Sequence, residues 1–286
     1  MTYLSSFAAL AERYDGFILD LWGVIHDGVN PLPGAVDTLT RLRALGKRSV
    51  LLSNAPRRAW AAQASMRNMG IGDELYDGIL TSGEAVWLAL RDRPDGWWHD
   101  LGARVFHLGP ERDRNVMDEL GLDMVATPAE ASFVLNTGPD DLRDPTTLAE
   151  FEDVLLACLN ARLPMVCGNP DMEVIRGGKR ILCAGSLAAR YIALGGDCRM
   201  LGKPDPAIYD PVLRMLGLEK SRVLAVGDAL ATDIAGAGRI GIDACWVLGG
   251  IHLAETQGDP DRAVAAARAK GLAPVAIISS FGWSAG

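Results

Sequence analysis

Three aspartates follow apolar segments of this sequence. Asp20 ends the run GFIL, Asp228 follows RVLAVG, and Asp233 lies five residues further on. A carboxylate at the end of a buried strand can cap a turn, hold a metal ion or act as a nucleophile. If the fold brings Asp20 beside Asp228, both can ionise only with a cation between them. Oxygen ligands favour Mg²⁺, and Asp233 would then act behind these ligands or through a water molecule.

Two further segments carry groups suited to a phosphoryl group. The run VLLSN ends in Ser53 and Asn54. A hydroxyl and backbone N–H groups at a strand end can hold phosphoryl oxygens, although the same residues also suit a helix cap. Lys203 precedes the proline turn of GKPDP. Its compact ammonium could neutralise a nucleophilic carboxylate and a phosphoryl group, or could simply be solvated at the surface.

The elements that must position these residues alternate between β-rich runs and helical stretches. Runs of this kind in the N-terminal part are GFILDLW, RSVLLSN and GILTSG, and those near the end are CRMLGKPDP, RVLAVGD, DACWVLGG and PVAIISS. This alternation predicts an α/β fold with a doubly wound parallel sheet, whose ligands gather at the carboxyl ends of the strands. An amphipathic helix is predicted around Leu4 to Arg13.

A segment of different composition interrupts this alternation. It contains ARVFHLG, SFVLNTG and PMVCGNPD, with helices predicted near 112–120 and 147–162. About 95 residues are enough for a small core of their own. We therefore predict an inserted α/β cap over 84–178 and a core made of 1–83 and 179–286.

The motifs in this order resemble those of the haloacid dehalogenase superfamily, whose members are mostly phosphatases. The cap-sized insertion and the segments SNAPR, GNPD, GKPDP and GDALATDI are similar to class IIA of that superfamily. This class includes phosphatases of pyridoxal phosphate, nucleotides, p-nitrophenyl phosphate and phosphoglycolate. The resemblance spans residues 15 to 250 and implies a Mg²⁺-dependent hydrolase of small phosphate monoesters.

The resemblance also implies a role for each residue of the motifs. Asp20 would attack phosphorus and form an aspartyl-phosphate, which water then hydrolyses. Mg²⁺ would be held by Asp20, the Trp22 backbone carbonyl and Asp228, with Asp233 in support. Ser53 and Asn54 would orient the phosphoryl oxygens, and Lys203 would stabilise their charge.

Trp22 departs from the family's pattern. Phosphatases of the superfamily usually carry a second aspartate two residues after the nucleophile, which protonates the leaving group and is worth about 10²–10⁴ in rate. Three explanations remain open: substrates with good leaving groups, a substitute acid at His26 or Asp27, or a protein that binds a phosphorylated metabolite without turnover. Chemistry of the superfamily other than phosphate hydrolysis is a further alternative.

Substrate specificity is predicted to lie in the cap, because the core motifs handle only the phosphoryl group. The cap segment CGNPD places Asn169 and Asp171 at a strand end. Their counterparts in the resembling class lie near the substrate entrance, which makes them candidates for specificity. Members of that class often pair through their caps, so a homodimer is also expected.

Composition limits the compartment and the partners. A formal net charge of −8 and the lack of a Lys/Arg cluster disfavour nucleic acid as a partner. The five cysteines form no CxxC pair, which indicates a reducing compartment. No apolar run approaches a membrane span, and no signal peptide is indicated. We predict a cytoplasmic protein that acts on a small phosphorylated metabolite.

Overall fold

The computed structural model describes residues 1–176 and 179–284, and these divide into two compact units. The first unit comprises Met1–Ser53, Gln63–Leu80 and the described residues from Lys203 onward. The second unit comprises Asn54–Ala62 and Thr81–Gly202. Among the described residues, no helix has both the length and the apolar character needed to cross a bilayer.

The strands of the described residues are β1 (Thr2–Leu4), β2 (Gly16–Leu19), β3 (Arg48–Ser53), β4 (Gly78–Thr81), β5 (Arg104–Leu108), β6 (Asp123–Met124), β7 (Phe133–Asn136), β8 (Met165–Cys167), β9 (Glu173–Arg176), β10 (Lys179–Leu182), β11 (Cys198–Met200), β12 (Val223–Gly227), β13 (Asp243–Val247) and β14 (Ala276–Ile278). The α-helices are α1 (Ala8–Ala11), α2 (Ala35–Ala44), α3 (Ala59–Asn68), α4 (Ser82–Asp92), α5 (Gly96–His99), α6 (Glu152–Asn160), α7 (Ala184–Ala193), α8 (Tyr209–Leu216), α9 (Ala235–Ile240), α10 (Leu253–Thr256) and α11 (Pro260–Ala269).

The first unit is built on a seven-stranded sheet in the order β1-β14-β13-β12-β2-β3-β4. The pairings from β1 through to β3 are parallel. Strands β2 and β12 are buried along their whole length, as expected where both faces of a parallel sheet are covered. Strands β3 and β4 follow β2 on one side of the sheet, and strands β13 and β14 follow β12 on the other side. Between these two strands lies the switch point at which open α/β sheets bind ligands.

The second unit has a five-stranded parallel sheet in the order β11-β8-β7-β5-β6 and an antiparallel hairpin of β9 and β10. Side chains of β7 alternate between two apolar clusters. Phe133 and Leu135 pack with residues of α4, and Val134 packs with residues of α6 and α7. Both faces of this sheet are therefore covered, and the predicted α/β fold class is confirmed.

The end of the insertion differs from the prediction. The predicted boundary at Gly178 lies outside the described residues, and so do Ala285 and Gly286 at the end of the predicted core. Helix α7 and strand β11 were assigned to the core, but they belong to the second unit. The reason is that β11 extends the sheet of that unit by pairing with β8, with Cys198 opposite Met165.

Local elements also differ from the predicted ones. The predicted N-terminal helix is limited to α1, because residues 2–4 instead form an edge strand beside β14. Phe7 anchors this segment through its ring contacts with Phe17 and Phe281. The helix predicted near 112–120 is a 3₁₀ helix over Glu111–Met117, and the one near 147–162 is α6 preceded by a 3₁₀ turn.

Replacement of Phe133 tests the core of the second unit. Phe133 is fully buried in the central strand of its sheet, so Phe133→Ala is expected to lower the free energy of unfolding by about 3–5 kcal/mol. Urea denaturation followed by circular dichroism measures this change. Met124→Ala is the control, because Met124 is half exposed and should change stability little. Equal effects of the two changes would contradict this description of the core.

Candidate active site

Asp20 lies at the carboxyl end of β2, beside the end of β12. Its backbone N–H continues the ladder by donating to the Val226 carbonyl at 2.9 Å. Its Oδ1 accepts the Leu21 N–H at 2.8 Å, which orients the carboxylate. The sequence places it there because the four residues of β2 are all buried, so the first polar side chain emerges at the switch point of the sheet.

Lys203 joins two of the buried carboxylates. Its Nζ lies 2.7 Å from Asp20 Oδ1 and 2.7 Å from Asp233 Oδ1, and it donates to the Leu52 carbonyl at 3.0 Å. Only 3% of Lys203 is exposed, so water contributes little to the solvation of its charge. These oxygens fix the position of the ammonium, and the ammonium fixes the positions of the two carboxylates.

The pKa of Asp20 is raised well above its usual range. Burial is the main cause, and the negative charges of Asp233 and Asp228 act in the same direction. Lys203 opposes them without cancelling their effect. A further positive charge beside Asp20 would lower its pKa and so favour the ionised carboxylate.

The side chains of Asp20, Asp228 and Asp233 can supply that cation site. Each offers a carboxylate oxygen, and these oxygens lie within 4.8 Å of one another. All three residues are buried, and the Lys203 ammonium pairs with two of them, Asp20 and Asp233. An all-oxygen donor set with excess negative charge suits a hard divalent cation such as Mg²⁺.

Close approaches of the backbone fix Asp228. Its Oδ2 accepts the Ile251 N–H at 2.7 Å, and its carbonyl accepts the Trp246 indole N–H at 2.8 Å. A Cβ at Gly23, where φ is +77°, would lie 2.4 Å from Asp228 Oδ2, and one at Gly250 would lie 1.8 Å from it. Both positions therefore need glycine, because a methyl group would displace the carboxylate.

Trp22 packs against its own loop. A Cβ at Gly28 would lie 2.1 Å from Trp22 Cη2, and the Trp22 ring contacts the His26 ring edge-on, with centroids 5.8 Å apart. The loop closes through the Gly23 N–H, which donates to the His26 carbonyl at 3.0 Å. The indole thus fills the loop that follows Asp20.

His26 and Asp27, the predicted substitutes for the family's second aspartate, have different environments. His26 is buried, and its Nδ1 accepts the Gly28 N–H at 3.0 Å, so a neutral ring carries its proton on Nε2. Asp27 is exposed, and its Oδ1 accepts the N–H groups of Val29 and Asn30. These bonds lower the pKa of Asp27, which makes it a turn-forming carboxylate and a poor proton donor.

Ser53, the predicted phosphate-binding hydroxyl, is buried at the end of β3 in the first unit. The other predicted residues form a separate hydrogen-bonded network in the second unit. The Asn54 amide donates to Asp171 Oδ1 at 2.8 Å, and the Asp171 N–H donates to Asn169 Oδ1 at 2.9 Å. Ser82 also donates to Asn54 Oδ1 at 3.2 Å. The structure therefore links Asn54, Asn169 and Asp171 to one another.

Sequence analysis missed two contributions to the site of the first unit. One is the Leu52 carbonyl that accepts from Lys203, which no residue type can signal. The other is the segment 249–252, which supplies the Ile251 N–H to Asp228. Its signal in the sequence was the glycine pair directly after the apolar run of β13.

Comparisons with known proteins identify relatives of this chain. Residues 17–123 match the family model of the haloacid dehalogenase-like hydrolases, and residues 200–275 match a second model of the same kind. The chain is 30% identical to human chronophin over 249 residues, which cover 85% of this chain and 84% of chronophin.

Solved structures give the same result. A haloacid dehalogenase-like hydrolase from Brucella suis 1330 is similar with a TM-score of 0.82 and 33% identity, covering 98% of this chain and 99% of that one. A glycerol phosphate phosphatase from Mycobacterium tuberculosis, solved with magnesium, has a TM-score of 0.63 and 25% identity, covering 88% and 74%. The chain belongs to the haloacid dehalogenase-like hydrolases. Within them it is a class IIA phosphatase, a hydrolase of phosphoric monoesters.

Gly250→Ala tests the close approach to Asp228. The added methyl group is expected to displace the carboxylate and weaken Mg²⁺ binding by about 10-fold to 100-fold. Binding is measured as the rise in melting temperature across a Mg²⁺ titration. Gly238→Ala is the matched control, because a Cβ there meets nothing within 4 Å. Unchanged Mg²⁺ affinity in Gly250→Ala would show that the carboxylate does not need this approach.

Proposed function

We propose that this phosphatase is a Mg²⁺-dependent hydrolase of small phosphate monoesters that works through an aspartyl-phosphate on Asp20. The observation that carries the proposal is the buried cluster at the switch point of the sheet, in which Lys203 lies 2.7 Å from both Asp20 and Asp233. Asp20 already pairs with the Lys203 ammonium, and the carboxylates beside it could hold Mg²⁺. Such a site is suited to a phosphoryl substrate, because Mg²⁺ neutralises charge during phosphoryl transfer.

The residues of the first unit divide the chemistry among them. The Asp20 carboxylate attacks phosphorus, a P–O bond to Asp20 forms, and the bond to the leaving oxygen breaks. Water then hydrolyses the acyl phosphate, which releases inorganic phosphate and restores the carboxylate. Lys203 orients Asp20 and offsets charge on the phosphoryl oxygens, and Ser53 hydrogen-bonds those oxygens.

The proposed ligands of Mg²⁺ are Asp20, Asp228 and the Trp22 carbonyl, and Asp233 supports the site. When bound, the ion would neutralise charge on the carboxylates and on the phosphoryl group. Asp233 also keeps Lys203 in place through their ion pair and accepts the Ala229 N–H at 3.1 Å.

Trp22 restricts the substrates in this proposal. An indole cannot donate a proton to a leaving alkoxide, and the Asp27 carboxylate is engaged by its own turn. The preferred substrates are therefore monoesters whose leaving oxygen departs without a proton, such as aryl phosphates, and His26, whose Nε2 carries the ring proton, is the remaining candidate donor in the loop. The same tryptophan favours a second candidate function, a protein that binds a phosphorylated metabolite without turnover.

Phosphate release separates these two functions. We expect release from p-nitrophenyl phosphate to require Mg²⁺ and to fall by about 10³-fold or more in Asp20→Asn, because the nucleophile is lost. Beryllium fluoride should stabilise the wild-type protein in the presence of Mg²⁺ and leave Asp20→Asn unaffected. Asp37→Asn, a change at an exposed carboxylate, is the control and should match the wild type. Ligand binding without release of phosphate would favour the second function.

Trp22→Asp restores the family's missing acid. Because general acid catalysis is worth about 10²–10⁴ in rate, hydrolysis of alkyl phosphates should rise by up to that range. Hydrolysis of p-nitrophenyl phosphate should rise less, because nitrophenolate leaves without a proton. Trp22→Asn is the control, since it removes the indole but supplies no proton.

Steady-state rates for both ester classes measure this effect. Equal rates in Trp22→Asp and Trp22→Asn would mean that the missing acid does not limit turnover.

A further inference from the structure

His252 lies just after the glycine pair that follows β13, and each part of its ring has a partner in the first unit. Its Nε2 accepts the Leu230 N–H at 3.4 Å, and its Nδ1 lies 2.8 Å from Glu255 Oε2. The ring also contacts the Trp246 indole edge-on, with centroids 5.5 Å apart and planes at 85°. No motif of the sequence drew attention to this histidine.

The partners and chain neighbours of His252 lie around Asp228. Leu230 lies two residues after Asp228 in the turn that leaves β12. Trp246 donates its indole N–H to the Asp228 carbonyl at 2.8 Å. Ile251, the neighbour of His252 in the chain, donates its N–H to Asp228 Oδ2 at 2.7 Å. One imidazole thus contacts three segments next to Asp228: the turn that follows it, the strand that binds its backbone carbonyl and the loop that binds its carboxylate.

Asp228 needs such support because like charges surround it. One carboxylate oxygen of Asp20 and one of Asp233 lie within 4.8 Å of a carboxylate oxygen of Asp228. Their repulsion would drive Asp228 outward unless the Ile251 N–H and the backbone around it stay in place. Residues behind a metal ligand typically change metal affinity by about 10-fold to 100-fold when they are replaced.

Glu255 determines which nitrogen of His252 accepts. With the Nδ1 proton directed at Glu255, a neutral ring presents the Nε2 lone pair to the Leu230 N–H. Glu255 is more than half exposed, so the pair itself contributes little to stability. Its effect is on the orientation of the ring.

We propose that His252 is a positioning residue for Asp228: by accepting from Leu230 and packing on Trp246, it holds the Ile251 N–H against the carboxylate. This inference rests on the proposed function insofar as it takes Asp228 to be a Mg²⁺ ligand. His252 touches neither substrate nor reacting atoms in this role.

Three replacements separate the acceptor from the rest of the ring. His252→Gln can place an acceptor near the position of Nε2, His252→Asn places its amide near Nδ1 instead, and His252→Ala removes both. We expect His252→Ala and His252→Asn to weaken Mg²⁺ by about tenfold in thermal-shift titrations, with the metal-free melting temperature nearly unchanged. His252→Gln should restore most of the affinity. Glu255→Gln, whose amide oxygen can still accept from Nδ1, is the matched control.

Hydrogen exchange of the metal-free protein tests the positioning without Mg²⁺. The amides of Ile251 and Leu230 should exchange at least tenfold faster in His252→Ala, and close to the wild-type rate in His252→Gln. This result would support the inference even if the wild-type protein bound no Mg²⁺, and only the proposed function would then fail. Wild-type exchange in His252→Ala, or equal acceleration in His252→Gln and His252→Ala, would overturn the inference.

Discussion

The ammonium of Lys203 between Asp20 and Asp233 is the interaction on which the first unit's site depends. Charges that are removed from water must be compensated within the protein, because the desolvation of an unpaired carboxylate or ammonium is large. Lys203 pairs with two of the three clustered carboxylates, so a divalent cation at the cluster would add positive charge where three negative charges meet. Burial, together with the negative charges of Asp233 and Asp228, raises the pKa of Asp20, and the same three carboxylates suit a divalent cation.

The order of the strands places this arrangement at the switch point between β2 and β12. In open α/β sheets the connections from the two strands at such a point turn to opposite faces, which leaves a crevice at the strand ends. Asp20 and Asp228 emerge there, and the Leu52 carbonyl from the neighbouring β3 receives Lys203. The glycines at 23 and 250 let the backbone approach Asp228 closely. The position of its carboxylate is therefore limited by these steric contacts as well as by hydrogen bonds.

The sequence was sufficient for the features that depend on local patterns. Fully apolar runs such as GFIL and VLAV identify buried parallel strands, and the first polar residue after each run marks the carboxyl edge of the sheet. The α/β class and the convergence of Asp20, Asp228 and Lys203 follow from that pattern together with the motif order.

Other features depend on contacts between distant segments and leave little local trace. The pairing of Lys203 with Asp233 joins residues 30 positions apart, and sequence alone had given Asp233 only a supporting place near the metal. The short run at 198–200 suits either sheet, and only its pairing with β8 assigns it to the second unit. Asp27 was a plausible acid by its position, yet two backbone N–H groups of its own turn engage it.

Trp22 is best understood together with Gly28. A tryptophan at the position of a small acid needs space, and the loop provides it because residue 28 has no side chain and adopts φ of +87°. The contact of the indole with His26 adds a second surface that an aspartate could not use. The loop is therefore built around the indole, with Gly28 and His26 both shaped to receive it. No carboxyl group at position 22 can supply a proton, which is why the proposed chemistry relies on the nucleophile, on charge compensation and on the leaving group itself.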